Sequence, residues 1–294
     1  MLFKSGFVSI IGKPNVGKST LLNTLLGQKI SIITPKAQTT RHRIKGILNN
    51  PNYQIVFSDT PGIIEPKYKL QSSMMKFVND SLQDCDLVIF VTDFLDRNRD
   101  EQLIEKLNMI ESPMLCIINK IDEHDADGIM QQVNFWKDRV KRFKEIVPIS
   151  AANNFNIDLL LSRILEYMPI GPAFYSEDQI TDKSERFIVS EMIREKILLY
   201  YKEEIPYSVQ VEIESFKDEP KLLKIEATIY VMRASQRQIL IGKGGIAIKN
   251  LGIASRRAIE QFFGKQVFLK TFVKVKEDWR NNSKALKDWG YEEH

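Results

Sequence analysis

Lys18 and Ser19 stand side by side in the stretch GKPNVGKST, Gly12 to Thr20, between the apolar run FVSII and the run LLNTLL. A lysine beside a hydroxyl, reached through a loop with glycines at 12 and 17, fits G-x-x-x-x-G-K-[ST] with a strand before it and a helix after it. In such a loop, successive backbone N–H groups and the helix N-terminus face an anion. Lys18 then reaches the β and γ phosphates, and the Ser19 hydroxyl coordinates Mg²⁺. Gly12 and Gly17 let the backbone turn and approach the phosphates, and Asn15, Val16 and Thr20 complete the residues expected against the nucleotide. The stretch implies a nucleoside triphosphate and leaves the base open.

The base is set farther along. NKID, Asn119 to Asp122, ends the apolar run MLCII, where the rim of an α/β sheet presents ligand-binding groups. A carboxylate accepts two hydrogen bonds from the N1–H and exocyclic amine of guanine, and adenine offers no such pair of donors. Asp122 is therefore expected to select guanine. Asn119 orients the loop and reaches the base, and the Lys120 stem lies along the ring. PISA, Pro148 to Ala151, closes the next run, with Ser150 in the loop and the Ala151 N–H offered to the guanine carbonyl.

Two further segments bear on the third phosphate. DTPG, Asp59 to Gly62, ends QIVFS, which places Asp59 to hold Mg²⁺ through water and the Gly62 N–H to meet the γ-phosphate. KAQTTRHR, Lys36 to Arg43, carries Thr39 and Thr40. One of the two is expected to complete the metal shell with Ser19 and Asp59, and Thr40 is preferred. The expected catalytic set is Lys18, Asn15, Thr40 and Gly62.

These residues need a frame that brings five loops to one edge. Short apolar runs at 7–11, 54–59, 86–93, 113–120 and 145–150 alternate with amphipathic stretches at 18–26, 69–83, 100–110 and 133–143. Unbroken apolar runs of this length suit parallel strands buried on both faces, and the alternation implies a doubly wound α/β sheet. RIKGILNN, 43–50, adds an antiparallel edge strand hairpinned to 54–59. After the helix at 158–167, a Pro-, Gly- and polar-rich stretch from Met168 reads as a linker, placed at 171–184. Beyond it the pattern becomes helix, two alternating strands, a short helix, GKGG, a longer helix over 246–263 and a last strand. This is an α+β unit over 185–294, and the tail from Trp279 reads as polar and mobile.

The charge is uneven. Of 42 Lys and Arg and 38 Asp and Glu, residues 1–180 hold equal numbers of each sign, so the net +4 belongs to the C-terminal part. Arg233 to Lys276 carries ten basic residues against the single acid Glu260, which points to a polyanion. Cys85 and Cys116 lie in apolar runs without metal-ligand spacing, and the three histidines are scattered, so neither a disulfide framework nor a structural metal is expected. No run approaches a membrane span and no targeting segment precedes the first strand, so a soluble, cytoplasmic protein is expected.

GKPNVGKS, KAQTTRHR, DTPGI, NKID and PISA together resemble the Era family of GTPases, and RASQRQILIGKGGIAIKNLG, Arg233 to Gly252, resembles the core of a type II KH domain with GKGG, 242–245, as its GxxG loop. The resemblance covers nearly the whole chain, including DWR at 278–280. It implies a P-loop GTPase domain over 1–170 followed by an α+β type II KH domain. It also implies binding of GTP or GDP with Mg²⁺, and small-subunit ribosomal RNA near its 3′ end as the partner in assembly of the small ribosomal subunit. A GxxG loop clamps the backbone of about four nucleotides of single-stranded RNA. Arg233, Gln236, Ile241, Gly242, Lys243, Gly244, Gly245, Lys249, Arg256 and Arg257 are the expected RNA-binding residues. Judged alone, GKGG also fits another anion loop or a tight turn.

Many GTPases place a Gln after the DxxG glycine to orient water, but Ile63 and Ile64 stand there. Hydrolysis is therefore expected to be slow, in or below the range of roughly 10⁻⁴ to 10⁻² s⁻¹ for unassisted small GTPases. The resemblance implies that Asn15 helps hold K⁺ near the phosphates. Loss of the third phosphate is expected to collapse the loops at 34–41 and 59–68 and so release the ribosomal particle. The chain is expected to act as a monomer, and basic faces also allow peripheral contact with anionic membrane. Other readings are a GTPase regulating an RNA-modification partner, and a passive RNA-binding module whose nucleotide fold is a scaffold.

Overall fold

The computed structural model describes residues 2–94 and 100–292. Its contacts divide the chain into two units, one of residues 1–65 and 74–182 and the other of 66–73 and 183–294.

The first unit is built on six strands, β1 (Lys4–Ile11), β2 (Ile44–Asn50), β3 (Tyr53–Asp59), β4 (Leu87–Thr92), β5 (Met114–Ile118) and β6 (Phe143–Pro148), in the order β2-β3-β1-β4-β5-β6. All neighbours are parallel except β2 and β3, the expected hairpin. Every residue of β4 and β5 is buried, as strands covered on both faces require. The helices are α1 (Lys18–Leu26), α2 (Lys69–Gln83, of which residues 74–83 belong to this unit), α3 (Glu101–Met109), α4 (Ala126–Arg139) and α5 (Ile157–Tyr167). The helix expected over 133–143 starts earlier, where the Asp125 side chain accepts the Gly128 N–H, and ends at Arg139 because Phe143 already belongs to β6. Trp136 on α4 packs edge-on against Phe90 of β4, with centroids 5.0 Å apart, and fixes that helix to the sheet.

The stretch expected as a linker is a strap on this unit. Ser5 N–H donates to Pro169 O and Ile47 N–H to Ile180 O, both at 2.9 Å, and Gln54 Oε1 accepts the N–H groups of Phe174 and Tyr175. It satisfies backbone groups of the edge strand β2 that would otherwise stay open to pairing.

The second unit runs α6 (Glu185–Tyr200), a single-turn α7 (Ile205–Ser208), β7 (Gln210–Asp218), β8 (Leu222–Val231), α8 (Ala234–Ile241), α9 (Ile246–Phe263) and β9 (Gln266–Val275). The sheet order is β7-β8-β9, antiparallel then parallel, so β9 is an edge. Ile225, Ala227, Ile229 and Val231 of β8 pack with Val189, Ile193 and Ile197 of α6 and Leu251 and Ile259 of α9 in one core.

The tail expected to be mobile is instead part of this fold. Trp279 is fully buried and its indole N–H donates to Ser208 O at 2.9 Å, a short α10 (Ser283–Asp288) follows, and Tyr291 donates to Gln210 Oε1 at 2.8 Å. The tail's polarity conceals two aromatic anchors.

Candidate functional sites

In the first unit the carboxyl ends of β1, β3, β4 and β5 meet at one rim. Gly17, at φ 98°, turns the chain from β1 into α1, whose N-terminus has no side-chain cap and leaves its amides for a ligand. A Cβ at Gly17 would lie 2.1 Å from Asn119 Nδ2, so glycine is required both for the turn and for the approach of β5.

Asn119 is a latch. Its Nδ2 donates to Val16 O at 2.9 Å and its Oδ1 accepts the Ala151 N–H at 3.0 Å, tying the loops after β1, β5 and β6 together. The Ala151 N–H, expected to face a guanine carbonyl, is thus given to Asn119. Ser150 is buried and its hydroxyl accepts the Asn153 N–H, so it holds the same turn. Lys120, at φ 63°, donates to Asn15 O at 2.8 Å and pairs with Asp93 at 2.6 Å. Asp93, at the end of β4, escaped the sequence reading, since only the folded sheet brings it to Lys120. Asp122 sits exposed on the short 3₁₀ turn Ile121–Glu123 just beyond.

A cleft of about 410 Å³ opens on Asn15, Gly17, Lys18, Ser19, Thr20, Thr40, Gly62 and Lys120. It is also lined by Ile32, Ile33, Thr34 and Pro35, which carried no motif, and by Gln38 and Thr39 of KAQTTRHR. Inside it, Ser19 Oγ donates to Asp59 Oδ2 at 2.7 Å, and Thr40 Oγ1 lies 2.8 Å from Ser19 Oγ and 3.4 Å from Asp59 Oδ2. Thr39 also borders the cleft, but its hydroxyl donates to Lys36 O at 2.6 Å. Of the two threonines, Thr40 is the one hydrogen-bonded to both Ser19 and Asp59.

Asp59 is fully buried, and its Oδ1 has no hydrogen-bond partner. Burial pushes its carboxyl above the usual range, against hydrogen bonds from Ser19 and Thr40 and the charge of Lys18. Two hydroxyls and a carboxylate with a spare oxygen are a hard-cation donor set, so Ser19, Thr40 and Asp59 fit Mg²⁺. Lys18 is likewise buried; desolvation lowers its ammonium to about 8, with the Asp59 charge opposing. Its Nζ donates to the carbonyls of Gly12 and Lys13 at 3.0 and 2.8 Å. Gly12 O also accepts the Ile63 N–H at 3.0 Å, which pins the DTPG segment to the loop, and a Cβ at Gly62 would meet Pro14 at 2.7 Å. Asn15 Nδ2 donates to Pro35 O at 2.9 Å, joining the loop after β1 to the loop before Thr40.

In the second unit Gly242, Gly244 and Gly245 have φ of 73°, 61° and 77°, and Gly245 opens α9, again without a side-chain cap. Lys243 and Gly244 are exposed, and Ile241 is half-buried beside the exposed Ile239 and Ile246. Between α9 and β9 runs a groove of about 290 Å³ lined by Ile248, Lys249, Gly252, Ile253, Arg256, Leu269 and Thr271. Arg257 is not in it; it borders a separate hollow with Tyr200 and Asn250 on the other side of α9. Gln236 is a correction. It is 4 % exposed, its Oε1 accepts the Met232 and Arg233 N–H groups and its Nε2 donates to Ser208, so it caps α8 and is closed to RNA. Arg233, the residue before that helix, remains exposed.

Comparison with known proteins decides the family. A model described as a 50S ribosome-binding GTPase matches residues 7–120, and a KH domain model matches 204–280. GTPase Era of Ruminiclostridium cellulolyticum is 45% identical over 99% of this chain and 98% of the relative, and GTPase Era of Alkaliphilus metalliredigens is 45% identical over 99% and 100%. The chain belongs to the Era GTPase family. It is a GTPase with a C-terminal KH domain. Two solved structures superpose with TM-score 0.93 at 41% identity, covering 98% of this chain and 99% of theirs. One is Era in complex with MgGDPNP and nucleotides 1506–1542 of 16S ribosomal RNA, and the other is an Aquifex aeolicus Era variant bound to GDP and AlF₄⁻.

Proposed function

We propose that this Era-family chain binds GTP in the cleft of the first unit with Mg²⁺ held by Ser19, Thr40 and Asp59. We further propose that it grips single-stranded RNA near the 3′ end of small-subunit ribosomal RNA through the GKGG loop and its groove, and acts in assembly of that subunit. The observation that carries this is the pairing, in one chain, of a buried Ser–Thr–Asp donor set beside Lys18 with an open glycine loop bordered by Lys243, Lys249 and Arg256. The relative solved with both MgGDPNP and 16S RNA carries matching units.

Within the cleft, Lys18 and the loop amides hold and stabilise phosphate charge, and Mg²⁺, when bound, supplies further charge neutralisation on the phosphates. Asp122 selects guanine and Asn119 holds the three loops in register. The Gly62 N–H reports the third phosphate. Ile63 packs toward the core beneath the sheet and cannot orient water, which keeps intrinsic turnover low. In this reading Asn15 would help to hold a K⁺ near the phosphates, so hydrolysis should run faster in K⁺ than in Na⁺. Equal rates in the two salts, unchanged in Asn15→Ala, would remove the potassium role.

Among the described residues no helix is long and apolar enough to cross a membrane. Action as a cytoplasmic monomer is part of the proposal, with contact to anionic membrane a weaker use of the same basic face. The test is crosslinking to native RNA followed by sequencing, comparing wild type with Gly242→Asp and Gly245→Asp. Reads concentrated near the 3′ end of the small-subunit RNA in wild type and lost in both variants support the reading. Reads spread evenly over all RNA contradict it.

A further inference from the structure

Strand β9 borders the base groove with alternate residues, Leu269 and Thr271, and therefore turns Phe268, Lys270, Phe272 and Lys274 to the opposite face of the sheet. Phe268 is 56% exposed and Phe272 39%. Four residues apart along a strand, the two rings lie about 13 Å from each other. Lys270 stands between them, its Nζ 4.8 Å from the Phe272 centroid, and Lys276 lies 4.3 Å from the Trp289 ring farther along. The two β9 lysines each face an acid of another strand, Glu214 on β7 holding Lys274 at 3.1 Å and Glu226 on β8 holding Lys270 at 3.7 Å. Both pairs are about half exposed, so they hold the lysines weakly and leave them able to turn to a phosphate.

We infer that the outer face of β9 is a second contact for the same RNA strand that the GKGG groove holds, with Phe268 and Phe272 as stacking platforms for bases and Lys270 and Lys274 as phosphate contacts. The inference rests on the RNA-binding role proposed above. Because β9 is an edge, no further strand of this sheet separates the groove from the outer face along its open side. Aromatics alternating with lysines on a sheet are what sequence-tolerant recognition of single strands uses, since every base offers a π-face. Two rings separated by a charge give too little contiguous apolar area for a protein partner.

The test uses the full chain and two nested fragments of the 16S 3′ segment. One has about four nucleotides, the span of the GxxG clamp, and the other about twelve, within the range one single-strand module covers. Wild type should bind the longer RNA more tightly. Phe268→Ala with Phe272→Ala should leave the short RNA unchanged and weaken the long one at least about tenfold, since each stacked base contributes roughly 5- to 150-fold. Phe272→Tyr should retain binding, which a merely structural role for the ring at an exposed site would not require. Equal affinity of wild type for both lengths, or a double variant that binds the long RNA as wild type does, overturns the second contact. Gly245→Asp should lose both RNAs, and a wild type that binds neither overturns the RNA reading itself.

Discussion

The two units open a helix from a glycine loop in opposite ways, each loop being the one proposed above to hold phosphate. Helices α1 and α9 both open with a left-handed glycine, Gly17 and Gly245, and neither has a side-chain cap. Helices α3, α4 and α6 are instead closed by Asp100, Asp125 and Ser184. At Gly17 an added Cβ meets Asn119 at 2.1 Å, whereas Gly244 and Gly245 have nothing within 4 Å. A walled loop suits one small ligand whose every group is read. An open loop suits a chain that must pass through.

The sharpest way to break that contrast is to add a methyl group at each. Gly17→Ala adds a backbone cost of about 1–3 kcal/mol to the displacement of the Asn119 latch, and the two together should lower GTP affinity at least about a hundredfold by calorimetry and reduce the melting temperature. Gly244→Ala carries the backbone cost alone, about 1 kcal/mol, and should bind GTP normally. If both variants lose GTP binding equally, the distinction between a walled and an open loop fails.

Next in size is ionic strength. RNA affinity should fall with a log–log slope of about −0.7 for each phosphate contacted, so four contacts lose several-hundredfold or more over a tenfold rise in salt. GTP affinity, set among buried groups, should change much less over the same titration.

A smaller effect comes from Lys18. Burial holds it at about 8, below its ordinary 10.5. The unfolded chain keeps that proton up to the ordinary value, so the nucleotide-free protein gains stability as pH rises through this window. A bound triphosphate restores the charge, and binding above pH 8 must therefore take up a proton. GTP affinity should weaken by up to about tenfold per pH unit from 8 towards 10.5, and Lys18→Arg should flatten that slope. An affinity constant across this range would contradict the assignment of the shift to Lys18.

Much of this was legible in the chain. GKPNVGKS, DTPG and NKID each sit at the end of a strand whose apolar run shows it, and glycines mark the turns after β1 and β3, whereas the turn after β5 is carried by Lys120 in the left-handed region. What escaped depends on packing across long separations. Gln236 looks like a polar residue beside a basic loop, yet the fold closes Ser208 and two backbone amides over it. Arg256 and Arg257 are adjacent in sequence but α9 turns by about 100° per residue, which sends one to the groove and the other away. Residues 171–184 carry a linker's composition, and hydrogen bonds to β2 and to Gln54 of β3 make the stretch a strap. Trp279 and Tyr291 are two anchors in a polar tail, too few to form a periodic signal.

The most direct test is a crosswise binding measurement on the full chain: GTP and the 16S 3′ segment titrated separately into wild type, Gly17→Ala and Gly245→Asp, with folding verified by thermal denaturation. The expected result is loss of GTP binding in the first variant and loss of RNA binding in the second. Each variant should keep its other ligand within about tenfold, the range left for coupling between the sites. A folded Gly245→Asp that binds the RNA as wild type does, or a folded Gly17→Ala with unaltered GTP affinity, would contradict the assignment of the two glycine loops to the two ligands.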